Sequence, residues 1–130
     1  MDAVQKEIRL YGLEQHQGII DGIIQELGLE AYAFDIRLIL IEAITNAHYH
    51  GNHSDCTKPI IVRYLLSGKQ LELQVEDTGD GSEPLVFPDS VGSDELLDEG
   101  GRGLYLIRCF SDSAVMIRNT MYISKCVCPS

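Results

Sequence analysis

The segment from Ala33 to Tyr49 constrains the fold more than any other. It is apolar on nearly every side, with Ile36, Leu38, Ile39, Leu40, Ile41, Ala43, Ile44 and Ala47 at helical spacing. Such a helix must be covered on more than one face, which requires further layers around it. It also carries Glu42, Asn46 and His50 at intervals of four, which sets an acid, an amide and a histidine on one stripe. Buried polar groups are costly unless paired, so the stripe either faces solvent or serves a ligand. A carboxylate base beside an amide oxygen suits a hard cation such as Mg2+.

The flanking segments supply what this helix needs. Val4 to Leu10 reads as an edge strand. Gln15 to Leu27 reads as an amphipathic helix stopped by Gly28. Ile60 to Leu66 and Leu71 to Val75 form a hairpin around Ser67-Gly68-Lys69, its second strand alternating with Glu72, Gln74 and Glu76. Leu104, Ile107 and Phe110 mark a short helix, and a last hairpin joins Ala114–Arg118 to Met121–Val127 across Asn119-Thr120. The order is β-α-α-β-β-loop-α-β-β over a single domain, residues 1–130. We expect an α+β fold, a two-layer α/β sandwich with helices on one face of a mixed, mainly antiparallel sheet.

Composition narrows the function. Hydrophobic residues make up 45% and charged residues 23%, which excludes a disordered chain. Lys and Arg total 10 against 20 Asp and Glu, and the net charge of -10 disfavours direct nucleic-acid binding and anionic membranes. No basic leader precedes an apolar run, so a soluble, cytoplasmic protein is expected. Cys56, Cys109, Cys126 and Cys128 then read as free thiols. A zinc site at His48, His50, His53 and Cys56 has no standard ligand spacing.

Two further motifs carry chemistry. In Val75-Glu76-Asp77-Thr78-Gly79-Asp80-Gly81, a carboxylate ends a buried strand, and glycines let a ligand approach the backbone. That suits recognition of a hydrogen-bond donor such as an amino group. Gly100-Gly101-Arg102-Gly103-Leu104 runs into a helix, and free N–H groups at a helix start favour phosphate.

Together, the three motifs resemble the N, G1 and G2 boxes of the GHKL (histidine-kinase-like) ATP-binding superfamily. The form E-A-x-x-N-A-x-x-H-G-N looks most like the bacterial anti-sigma-factor serine kinases. The resemblance covers about residues 15 to 127 and implies the ATP-binding sandwich known as the Bergerat fold. It implies Glu42 as general base and Asn46 as the Mg2+ ligand. It implies Asp77 as acceptor for the adenine amine, with Gly79 and Gly81 beside the base. Gly101 and Gly103 would contact the phosphates, with Leu104 completing that box, and Thr120 would support the adenine site. An ATP lid of about 82–103 follows. The implied partners are a STAS-type anti-sigma antagonist, phosphorylated on serine, and a sigma factor, with a homodimer compatible.

The sequence departs from the family in the lid. Ser82 follows Gly81 where an aromatic is common, and Ser82 to Glu99 holds six acids without Lys or Arg. An acidic lid repels polyphosphate, so it is expected to face solvent or a basic partner, and to be mobile until nucleotide orders it. Arg102, inside the last motif, is either the cation that reaches the γ-phosphate or a solvated lid residue. Two rival readings are a non-catalytic ATP-binding module whose lid gates partner binding, and the catalytic domain of a histidine kinase. The intact Glu42 counts against the first. The HGN form and the lack of a phosphoacceptor helix count against the second.

Overall fold

The computed structural model describes residues 4–80 and 99–127, with no description of the side chains of 99–102. Strands β1 (Val4–Tyr11), β2 (Pro59–Ser67), β3 (Gln70–Glu76), β4 (Ser113–Ile117) and β5 (Thr120–Cys126) form one sheet in the order β1-β2-β3-β5-β4. Every described pairing is antiparallel, so the mixed sheet expected from the sequence is antiparallel throughout the described residues. One cross-strand row shows why the sheet holds a single register. Ile8, Val62, Val75, Met121 and Met116 follow one another across all five strands on the face toward the helices. A slip of one residue would turn that row to solvent.

Helices α1 (His16–Leu27), α2 (Ala33–Asn46) and α3 (Glu99–Phe110) cover that face. Helix α1 buries Ile20, Ile23, Ile24 and Leu27 and ends at Gly28, whose φ of 67° is the left-handed stop expected there. Helix α2 lies between α1 and α3, so the all-round apolar pattern finds cover on both flanks and beneath. Lys125 locks the layers together. Its Nζ donates to the last carbonyl of α3, Phe110 O, at 2.8 Å and pairs with Asp35 in the first turn of α2 at 3.3 Å. The ammonium complements the C-terminal end of α3, and Asp35 complements the N-terminal end of α2.

Two elements differ from the sequence reading. Helix α2 stops at Asn46, and Ala47–Gly51 forms a π turn closed by Asn52 N donating to Ala47 O at 2.8 Å. His50, within this turn, is exposed, whereas Glu42 and Asn46 are half-buried. Helix α3 begins at Glu99 instead of Leu104, so Gly100, Gly101 and Gly103 lie within its first turns. The N–H groups of that first turn still have no partner inside the helix. No described helix is long and apolar enough to cross a membrane.

Candidate functional site

The site lies where α2, the π turn, the end of β3 and the start of α3 converge. Glu42 and Asn46 are half-buried, one turn apart on α2. Gly103 of α3 packs against Glu42 so closely that a Cβ there would sit 2.6 Å from Glu42 Oε2. With glycine there, the carboxylate keeps this position at the start of α3; a larger side chain would have to displace it. No described residue donates a hydrogen bond to Glu42.

The end of β3 is built differently. Asp77 is buried, 6% exposed, and its Oδ1 accepts the Gly79 N–H at 2.7 Å. Its neighbours must be glycines: a Cβ on Gly51 would lie 2.0 Å from Asp77 Cγ, and one on Gly79 would lie 2.9 Å from Oδ1. Burial pushes the Asp77 carboxyl above its ordinary value; the Gly79 N–H pulls it back, nearby Glu76 raises it, and His53 lowers it. Among the described residues, nothing donates to Oδ2. A desolvated carboxylate with an oxygen to spare is suited to an incoming N–H donor.

Asn119 and Asn52 hold this arrangement. Asp77 N donates to Asn119 O at 3.0 Å, and Asn119 Nδ2 donates to Asp77 O at 2.7 Å. Asn52 is fully buried. Its Nδ2 reaches Lys58 O and Pro59 O, each at 3.2 Å, and its Oδ1 accepts from both N and Oγ1 of Thr78 at 2.8 Å. Neither asparagine stood out as functional in the sequence. The one available signal was that Asn52 closes the first motif.

Residues 13–122 match the family of the histidine kinase-like ATPase domain. The chain belongs to that family. It is 30% identical to the serine-protein kinase RsbW of Listeria monocytogenes serotype 4a over 120 residues, which covers 82% of this chain and 76% of that protein. Identity to the RsbW of Bacillus licheniformis is 28% over 123 residues, with 82% and 75% covered. The anti-sigma F factor of Clostridium perfringens strain SM101 is 32% identical over 81 residues, covering 61% of this chain and 58% of that protein.

In this histidine kinase-like ATPase domain, Asp77, Gly79 and Gly51 meet at one end of the site, and Glu42, Asn46 and Gly103 mark the other. Thr120 is buried at the start of β5, in register with Glu76, but Asn119 makes the direct bonds to Asp77. Leu104 is 7% exposed and sits in the apolar core, where its side chain anchors α3. The backbone of Gly101 and Arg102 lies in the first turn of α3. The Arg102 side chain, Gly81, residues 82–98 of the lid expected at about 82–103, and Cys128 lie outside what the structure describes. His48 is buried, with its ring edge-on to Tyr49, and its Nδ1 has no described partner. His50, His53 and Cys56 are exposed.

Proposed function

We propose that the chain is an ATP-dependent protein serine kinase and anti-sigma factor of the cytoplasm. It phosphorylates a serine on a STAS-type antagonist and sequesters a sigma factor. The names carried by its relatives support this reading, and so does the chemistry of the two ends of the site. The observation that carries it is Glu42 Oε2 beside Gly103, one helical turn from Asn46. A module that only bound nucleotide would gain nothing from a carboxylate there, because it opposes the polyphosphate charge.

The donor set fits Mg-ATP. The spare Asp77 oxygen suits the adenine amine and rejects the guanine carbonyl. Asn46 offers a neutral oxygen for Mg2+. The free N–H groups at the start of α3 suit phosphate oxygens. Bound Mg-ATP supplies the phosphoryl group and the divalent charge. Glu42 takes up the proton of the attacking serine hydroxyl at its carboxylate, and α3 orients the phosphate end through its N–H groups.

Incubation with γ-labelled Mg-ATP and STAS-domain partners tests the reading. Label appears on a partner serine if it is right. Nucleotide-dependent partner binding without transfer would replace it with a regulatory binding module, and label on a histidine would place the chain with histidine kinases.

A further inference from the structure

Asn52 is saturated on both sides of its amide and ties the π turn to the entry of β2, six and seven residues on, and to the turn after β3, 26 residues on. Its donors bond the carbonyls of Lys58 and Pro59 at the entry to β2, and its acceptor takes two bonds from Thr78. Its own N–H closes the π turn on Ala47 O. Its neighbour Gly51 packs on the Asp77 carboxyl, and Thr78 lies between Asp77 and Gly79. Fixing Asn52 therefore fixes both walls around Asp77: the Gly51 backbone on one side and the 78–79 turn on the other.

We infer that Asn52 is a positioning residue for nucleotide selectivity, which clamps the turn after β3 so that Asp77 presents one free oxygen to an adenine amine. The inference deepens the proposed ATP-dependent function and rests on it. With the clamp in place, Oδ1 is occupied by Gly79 N–H, and rotation of the carboxyl is opposed on the side of Gly51. The base then meets a fixed single acceptor, a geometry that separates a 6-amino from a 6-oxo purine. Without the clamp, the turn and carboxyl can re-orient, and water or a backbone donor can take the free oxygen. A buried asparagine that served only to satisfy backbone groups would add stability and leave the choice of base untouched.

The test compares ATP and GTP binding to the full chain by calorimetry, alongside melting temperature, for wild type, Asn52→Ala, Thr78→Ala and Thr78→Ser. Thr78 is exposed, so its variants keep the fold, and they remove or retain one of the two bonds to Asn52 Oδ1. Wild type should prefer ATP. Asn52→Ala should cut ATP affinity about tenfold or more with little change for GTP, so that the ratio collapses. Thr78→Ala should lower the ratio by roughly the factor of a few that one neutral hydrogen bond is worth, and Thr78→Ser should restore it. A wild type that does not distinguish ATP from GTP would overturn the proposed nucleotide reading itself. A wild type that prefers ATP, with an unchanged ratio in Asn52→Ala, overturns only the clamp. If Asn52→Ala does not fold, the Thr78 pair decides: equal ratios for Thr78→Ala and Thr78→Ser overturn it.

Discussion

The Asp77 end of the site is held by a network of hydrogen bonds; at the Glu42 end, no described residue donates to the carboxylate. Asp77 is bracketed by Asn119 and Gly79, on turns at the ends of sheet strands, and by Gly51 of the π turn, with Asn52 behind them. Glu42 stands between two helices, with a glycine against its carboxylate and no described hydrogen-bond donor. Rigid, satisfied networks suit recognition of an unchanging base. A sparsely held carboxylate suits a group that acts when a second protein brings its hydroxyl. On this account, selectivity is built into the folded chain, and the phosphoryl-transfer geometry is completed by nucleotide and partner.

The contrast can be broken in several places. The largest effect is expected from Glu42→Ala, which should slow transfer to the partner serine about 10²–10⁴-fold, measured by label incorporation at saturating ATP. Gly51→Ala comes next. Its Cβ would fall 2.0 Å from Asp77 Cγ, so calorimetry should find ATP binding lost, and denaturant unfolding should find a stability loss of about 1–3 kcal/mol. Gly103→Ala meets only the end of the Glu42 side chain, which can swing away. Transfer should fall while stability changes little, and equal damage from the two alanines would erase the distinction between the ends.

Asp77→Asn sharpens the contrast through pH. Folding raises the Asp77 pKa, chiefly by burial. The stability tied to its protonated form is therefore present below the ordinary carboxylate range and lost as pH rises through the raised value. At neutral pH, Asp77→Asn should melt no lower than wild type, yet bind ATP more weakly by about 1.5–3 kcal/mol, the worth of a hydrogen bond to a charged group. The smallest effect is expected from Arg63→Ala. Arg63 pairs with Glu7 and Glu76, each at 2.8 Å, on the open face of the sheet. A partly exposed pair is worth under about 1 kcal/mol and weakens with salt, so thermal melts at two ionic strengths should differ only slightly.

How much of this could be read in the sequence depended on the distance over which each feature is determined. Helix α2 and the β2–β3 hairpin were legible because period 3.6 and period 2 are local signals. Glu42 and Asn46 were legible as candidates because they are polar groups in an apolar helix, and Asp77 because it ends a buried strand beside glycines. The start of α3 was not, since Glu99-Gly100-Gly101-Arg102-Gly103 carries three poor helix formers, and packing against α2 overrides that preference. The π turn keeps the residue types of a helix and changes only its closure. Asn52 was legible only as the end of the first motif, since its bonds to Thr78 span 26 residues, and Asn119 escaped notice because its partner lies 42 residues away.

The account is tested most directly by measuring Mg-ATP affinity and single-turnover transfer to a STAS partner on Glu42→Ala and Asp77→Asn side by side. Glu42→Ala should keep its affinity and lose the rate; Asp77→Asn should lose affinity and, once saturated, transfer at close to the wild-type rate. If both variants lost the same quantity, or if Glu42→Ala transferred phosphate as fast as wild type, the division of the site into a base-reading end and a proton-accepting end would be contradicted.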